Sequence, residues 1–306
     1  MLSFDNQNLK KLFEKYNAVF AAAYDRLLNE DEKYSQMTAD NAEEELRNVV
    51  HNTIQNWHSE PLSETTGNLT GDDVLAAVKT LPDALELARY AAAFCDDEFP
   101  DIVKIKLSAF GQPLIERLLD AVLTADFAQP TDNVHENNID LAIVAEYLKL
   151  LADWQCDVCL EPVLSKFAAA GEPNEMLADA IRYFLAMFAE QAQPLLLDHL
   201  SRALEQNADL DTAGEYLLIA LTDIGRELRS DAVFACLRDA FRKMTRKAIG
   251  AICLGDYGDG RGVATLRGWM ERHSDYDDRQ TIAEILSAIS RLGGETGDLR
   301  HRLKLK

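Results

Sequence analysis

The sequence predicts an all-α protein, an α-α superhelix of stacked antiparallel helix pairs. Apolar residues recur every three or four positions through most of the 306 residues, as they do along amphipathic helices. The sequence lacks the alternating runs of Val, Ile and Thr that are typical of β-strands, and its glycines and prolines are few, at 15 and 8. Helix pairs of similar length recur along the second half of the chain, which is the pattern of a repeat architecture.

The first 71 residues differ from the rest and are predicted to form an N-terminal helical cap with a linker. Amphipathic helices are expected over 6–28 and about 42–57. Residues 58–71 contain a proline, two glycines and several Ser and Thr residues, a composition typical of a linker. Because this helix pair does not match the later pairs, we predict a cap and linker over 1–71 and a repeat array over 72–306.

Two prolines divide the start of the array. Pro82 is expected to begin or kink one helix, and Pro100 is expected to occupy the first position of the next. Gly111 and Pro113 then interrupt the apolar pattern of residues 100–123. This segment is therefore either one kinked helix or a short helix pair.

The second half of the chain shows the repeats clearly. Short turns join the predicted helices into pairs, and the second helices of the pairs begin with related sequences. Taking Pro162, Pro194, Ala232, Gly262 and Gly297 as equivalent gives spacings of 32, 38, 30 and 35 residues. The helices are predicted over 139–154, 156–169, 174–189, 193–206, 211–226, 230–244, 245–254, 260–273, 277–292 and 296–304.

Residues 245–273, TRKAIGAICLGDYGDGRGVATLRGWMERH, join an apolar helix, the polar turn GDYGDGR and a second apolar helix. Gly255 is expected to end the first helix, since glycine accepts the positive φ of a helix C-cap. The pattern resembles a HEAT-type repeat, and the resemblance to HEAT-like families covers about 72–304, most strongly 139–304. It implies a HEAT-like (armadillo-type) solenoid, a fold in which the second helices usually form a concave binding face.

The charge of the chain argues against a general nucleic-acid-binding function. The net charge is −21, whereas binding to a phosphate backbone requires clustered Lys and Arg residues. The charge is uneven, because residues 226–306 hold 16 Lys and Arg against 12 Asp and Glu. The sequence shows no signal peptide and no membrane-length apolar stretch, and its five cysteines are expected to be reduced thiols. We therefore expect a cytoplasmic protein without membrane association.

No motif specifies a reaction, so we predict no catalytic residue, no metal and no cofactor. Cys156 and Cys159 form a C-x-x-C that would need two further ligands to hold zinc, and buried thiols are the favoured interpretation. Asp256–Arg261 is interpreted as a turn rather than a calcium loop. His135-Glu136 resembles one of the metal-binding His-Glu pairs of deoxyhypusine hydroxylase, a HEAT-like enzyme that uses several such pairs, whereas this chain has one.

The predicted binding site consists of Arg238, Arg242 and Arg267. They lie on successive second helices in the only net positive part of the chain, and guanidinium groups bind carboxylates well. We predict a non-enzymatic scaffold or adaptor that binds another protein along the second-helix face. The alternatives are a HEAT-like enzyme, resembling the phycobilin lyases or DNA glycosylases with this fold, and a regulatory module for a small ligand.

Overall fold

A computed structural model describes residues 5–29, 56–63, 68–95, 99–128, 137–206, 209–273 and 278–302. This described part is all-helical, without β-strands, and the chain divides into two compact units, Met1–Ala121 and Val122–Lys306. The helices are α1 (Asn6–Asn29), α2 (Gly71–Ala77), α3 (Leu81–Phe94), α4 (Asp101–Ser108), α5 (Gln112–Thr124), α6 (Asn137–Asp153), α7 (Leu160–Ala168), α8 (Glu175–Met187), α9 (Ala189–Glu205), α10 (Thr212–Glu227), α11 (Asp231–Lys243), α12 (Lys247–Tyr257), α13 (Gly262–Arg272), α14 (Arg279–Arg291) and α15 (Gly297–Arg302).

In the first unit, α1 packs against α2 and α3 through its apolar face. Gly71 permits the contact with α2, because a Cβ there would lie 2.9 Å from Leu12 Cδ1 and from the His58 carbonyl oxygen. Trp57 lies 5.3 Å from Tyr16 between ring centroids and begins a short 3-10 helix. The rest of the helix predicted over 42–57 falls outside the described residues. The boundary expected at residue 71 stays a prediction.

The helix starts in this unit follow from local chemistry. Thr70 and Thr80 each accept a hydrogen bond from the backbone N–H three residues later and form a capping box. Pro82 lies in the first turn of α3, as predicted, while Pro100 is the N-cap of α4 and not its first helical residue. Residues 100–123 form a short pair, because Gly111 has a φ of 58° and separates α4 from α5.

The described residues of the second unit form five helix pairs, each with a first and a second helix. The first helices, α6, α8, α10, α12 and α14, contact one another in succession. The second helices pack beside them, and α9 also contacts α11. The central helix α10 contacts α7, α8, α9, α11 and α12, and a wide face of it is therefore buried.

Several helix boundaries differ from the prediction by a few residues, and two of the differences involve residues that the sequence analysis singled out. Gly255 does not end α12; it lies inside that helix, where an added Cβ would come within 3.0 Å of Ala288 Cβ on α14. The C-cap is Gly258, with a φ of 76°. The helix predicted from 193 begins instead at Ala189 and carries Pro194 in its interior, because only Phe188 separates α8 from α9.

Candidate functional site

Helix α11 presents two of the three predicted arginines. Ser230 caps its N-terminus, and its Oγ accepts a hydrogen bond from Val233 N at 3.2 Å. The apolar residues, among them Leu237 and Phe241, are buried on one face. Arg238 and Arg242 are one turn apart outside that buried stripe, and their guanidinium groups reach solvent.

The two arginines on α11 share one carboxylate. Arg238 Nε lies 2.9 Å from Asp239 Oδ1, and Arg242 Nη1 lies 3.7 Å from the same oxygen. Two lysines near the end of α11 contact backbone carbonyls: Lys243 Nζ donates to Leu204 O at 2.5 Å, and Lys247 Nζ donates to Phe241 O at 2.8 Å. Lys247 is half-buried and close enough to Asp209 for that carboxylate to raise its pKa against the effect of burial. The excess positive charge at the exposed end of α11 therefore comes from Arg238, Arg242 and Lys243, which have Asp239 among them.

Arg267 has a different role from the other two. Its guanidinium contacts the Asp298 carboxylate and the Glu295 backbone carbonyl, and so fastens α13 to the start of α15. The hydrogen bond and charge of Asp298 raise the pKa of Arg267 above its usual value. The buried faces of α11 and α13 meet where Phe241 packs edge-on against Trp269, with ring centroids 6.2 Å apart. The predicted residues thus lie on two helices in contact, but Arg267 is already engaged within the fold.

A buried carboxylate that the sequence analysis did not select lies in the first turn of α10. The Glu215 side chain is 4% exposed, and its Oε2 accepts a hydrogen bond from Arg246 Nη1 at 2.8 Å. Arg246 also donates to Thr212 Oγ1 at 3.4 Å, and that hydroxyl donates to Glu172 Oε2 at 2.6 Å. These contacts link the turns that precede α8, α10 and α12.

Further carboxylates surround Glu215. Asp211 caps α10 by accepting from Gly214 N at 2.8 Å, and Asp209 accepts from Thr245 N at 2.8 Å. Burial raises the pKa of Glu215 to about 7; Arg246 opposes the change, while the charges of Asp209, Glu172 and Asp211 add to it. We call these four carboxylates the acidic cluster. The sequence feature that could have indicated this cluster is Glu215, a charged residue among the buried residues of α10.

The C-x-x-C is placed as a pair of buried thiols. Cys156 is the N-cap of the short 3-10 helix Asp157–Cys159 that precedes α7, and Cys159, its last residue, is fully buried. Burial raises the pKa of both thiols, that of Cys159 to about 11. Burial likewise raises the pKa values of Cys236 and Cys253 to about 12.

We expect these four thiols to react slowly with a disulfide reagent at pH 8, because the thiolate is the reactive form. The measurement is the time course of thionitrobenzoate release from native protein, with protein unfolded in guanidinium chloride as the reference for complete reaction. Rapid reaction of the native protein that disappears in Cys156→Ser with Cys159→Ser would contradict the buried placement.

Only part of the segment Asp256–Arg261, which the sequence analysis interpreted as a turn, is a turn. Its first two residues belong to α12. Asp256 lies within α12 and forms an ion pair with Arg291. Asp259 accepts the Arg261 backbone N–H at 2.9 Å and also binds its guanidinium, and Arg261 reaches Asp231 at 2.9 Å. These contacts support an inter-helix turn. His135-Glu136 lies outside the described residues.

Among the residues that the structure describes, no three His, Cys, Asp or Glu side chains are grouped so that they could hold a metal ion. No described helix combines the length and the apolar character that crossing a bilayer requires. The chain matches no protein-family model, no curated protein and no solved structure. The HEAT-like resemblance therefore stays a prediction.

Proposed function

We propose that residues 122–306 form a HEAT-like array of helix pairs that binds an acidic segment of another protein without catalysing a reaction. The regular succession of first-helix contacts from α6 to α14 supports the array. Such a stack leaves the second helices as a repeated surface beside it. On this proposal the binding surface is the exposed face of α11.

The observation that carries the proposal is the shared carboxylate on α11. One aspartate carboxylate cannot neutralise two guanidinium groups, so Arg238 and Arg242 can bind a second carboxylate, which a partner supplies. The partner must be acidic at the contact, although the chain as a whole carries a charge of −21 and repels acidic proteins. The local excess of positive charge on α11 thus determines where on the chain an acidic segment binds.

We expect Arg238→Glu with Arg242→Glu to weaken the binding of an acidic partner by about tenfold or more and to remove most of its salt dependence, since two charge-assisted contacts become repulsive. The measurement has two steps. Partners are first captured with the wild-type chain and identified, and the affinity of an acidic peptide taken from the captured protein is then titrated at several salt concentrations.

The matched control is Arg202→Glu with Arg226→Glu, which changes the charge equally at exposed positions on α9 and α10. We expect this control to bind as the wild type does. Equal affinity of the α11 variant and the control would contradict the proposed surface. Arg267 is reversed in a separate protein, because that change also removes its contact with Asp298 and loosens α15.

A further inference from the structure

A cavity of about 440 Å³ opens beside α14 and α15, away from the three predicted arginines. Five of its six lining residues on α14 are exposed, whereas Leu286 is 2% exposed and belongs to the buried stripe with Ile282 and Ile285. The basic residues of the lining are Arg279 and Arg291 from α14 and Arg300 from α15. Guanidinium groups from two helices therefore converge on one cavity.

Two of these three charges have no carboxylate partner among the described residues. Arg291 is paired with Asp256 on α12, whereas no described carboxylate contacts the guanidinium groups of Arg279 and Arg300. No carboxylate lines the cavity among the residues that the structure describes.

The aspartates that begin the two helices are engaged elsewhere. Asp278 caps α14, where its Oδ2 accepts the Thr281 hydroxyl at 2.6 Å and its Oδ1 accepts Gln280 N at 3.0 Å. Asp298 of α15 binds Arg267. The positive charge inside the cavity is therefore not cancelled by these neighbours.

The remaining lining residues add two other kinds of contact. Ser287 and Ser290 provide hydroxyl groups, which donate hydrogen bonds to anionic oxygens. Ala283 provides an exposed apolar side chain beside them, while Leu286 is buried and contributes almost no surface. Two guanidinium groups, hydroxyl donors and an apolar side chain together suit an anion that carries a small apolar group.

We propose that this cavity binds a small phosphate ester. Arg279 and Arg300 contact the phosphate oxygens, the two serines donate to the same group, and Ala283 packs against the apolar part of the ester. The volume lies within the range of about 300–1,000 Å³ that small-molecule pockets occupy. With a chain charge of −21, bound phosphate indicates a local site and not a general attraction of anions.

The test is titration calorimetry of the full chain with inorganic phosphate and with phenyl phosphate. We expect saturable binding of both, with phenyl phosphate bound more tightly because its ring packs against Ala283. Arg279→Gln with Arg300→Gln should weaken the binding of phenyl phosphate by about tenfold or more, since it removes the two guanidinium groups that no described carboxylate contacts. The control, Arg202→Gln with Arg226→Gln, removes the same charge elsewhere and should leave the affinity unchanged.

Three results would overturn the assignment. One is the absence of saturable binding by the wild-type chain. Another is equal weakening by the control, which would show diffuse attraction to surface charge. The third is equal affinity for phenyl phosphate and inorganic phosphate, which would show that the cavity does not recognise the apolar group of an ester. The α11 surface is tested with other variants and a peptide ligand, so the two proposals succeed or fail separately.

Discussion

Leu221→Asp should lower the free energy of unfolding of the second unit by about 4 kcal/mol or more, because it replaces a buried apolar side chain with a charge. Leu221 is fully buried in α10, the helix that contacts five others in this unit. The carboxylate introduced at this position would be shielded from water and would have no positively charged group placed to pair with it. Loss of this one helix would disconnect α8 from α12, so we expect the whole unit to be affected.

The measurement is urea unfolding followed by circular dichroism, with Leu221→Ala and Val158→Asp beside the aspartate variant. Leu221→Ala should cost about 2–5 kcal/mol through the cavity that it leaves. Val158 is 64% exposed, so its replacement by Asp should change stability by less than about 0.5 kcal/mol. A wild-type midpoint for Leu221→Asp would show that the buried face of α10 has been assigned incorrectly.

Helix positions in this chain could be predicted because they depend on local apolar spacing. The stripe of α11 is an example, since Val233, Leu237 and Phe241 are all buried as the pattern requires. Helix ends were less predictable where tertiary packing decided them. Gly255 has the residue type of a helix C-cap, yet it serves as a close-packing position against α14, and Gly258 ends the helix instead.

The acidic cluster could not be predicted as a whole, because its members come from two separate segments. Glu215 lies within six residues of Asp209 and Asp211 at the start of α10. Glu172 precedes α8 and joins them only when the two helices stack. In an acidic chain, a single carboxylate in a helical pattern is a weak signal. The exposed arginines of α11 were easier, since their positions follow from helical periodicity, but the engagement of Arg267 by Asp298 depends on the fold of α15.

The acidic cluster should make folding depend on pH through Glu215. Its pKa of about 7 in the folded chain stands against a usual value of 4.5, so the folded state holds the proton more tightly than the unfolded state. The resulting stability is complete below about pH 4.5 and is lost as the pH rises through about 7. Burial is the main cause, and Arg246 compensates only part of the cost of ionisation.

We expect Glu215→Gln to remove this pH dependence. Relative to the variant, the wild-type chain should lose on the order of 3 kcal/mol of unfolding free energy between pH 4.5 and pH 8, at about 1.4 kcal/mol for each pKa unit. The measurement is urea unfolding of both proteins across that range, because other titrating groups cancel in the difference. Glu205→Gln, an exposed carboxylate at the end of α9, is the control and should follow the wild type. A constant difference between wild type and Glu215→Gln at all pH values would mean that Glu215 ionises normally, with Arg246 fully offsetting its burial.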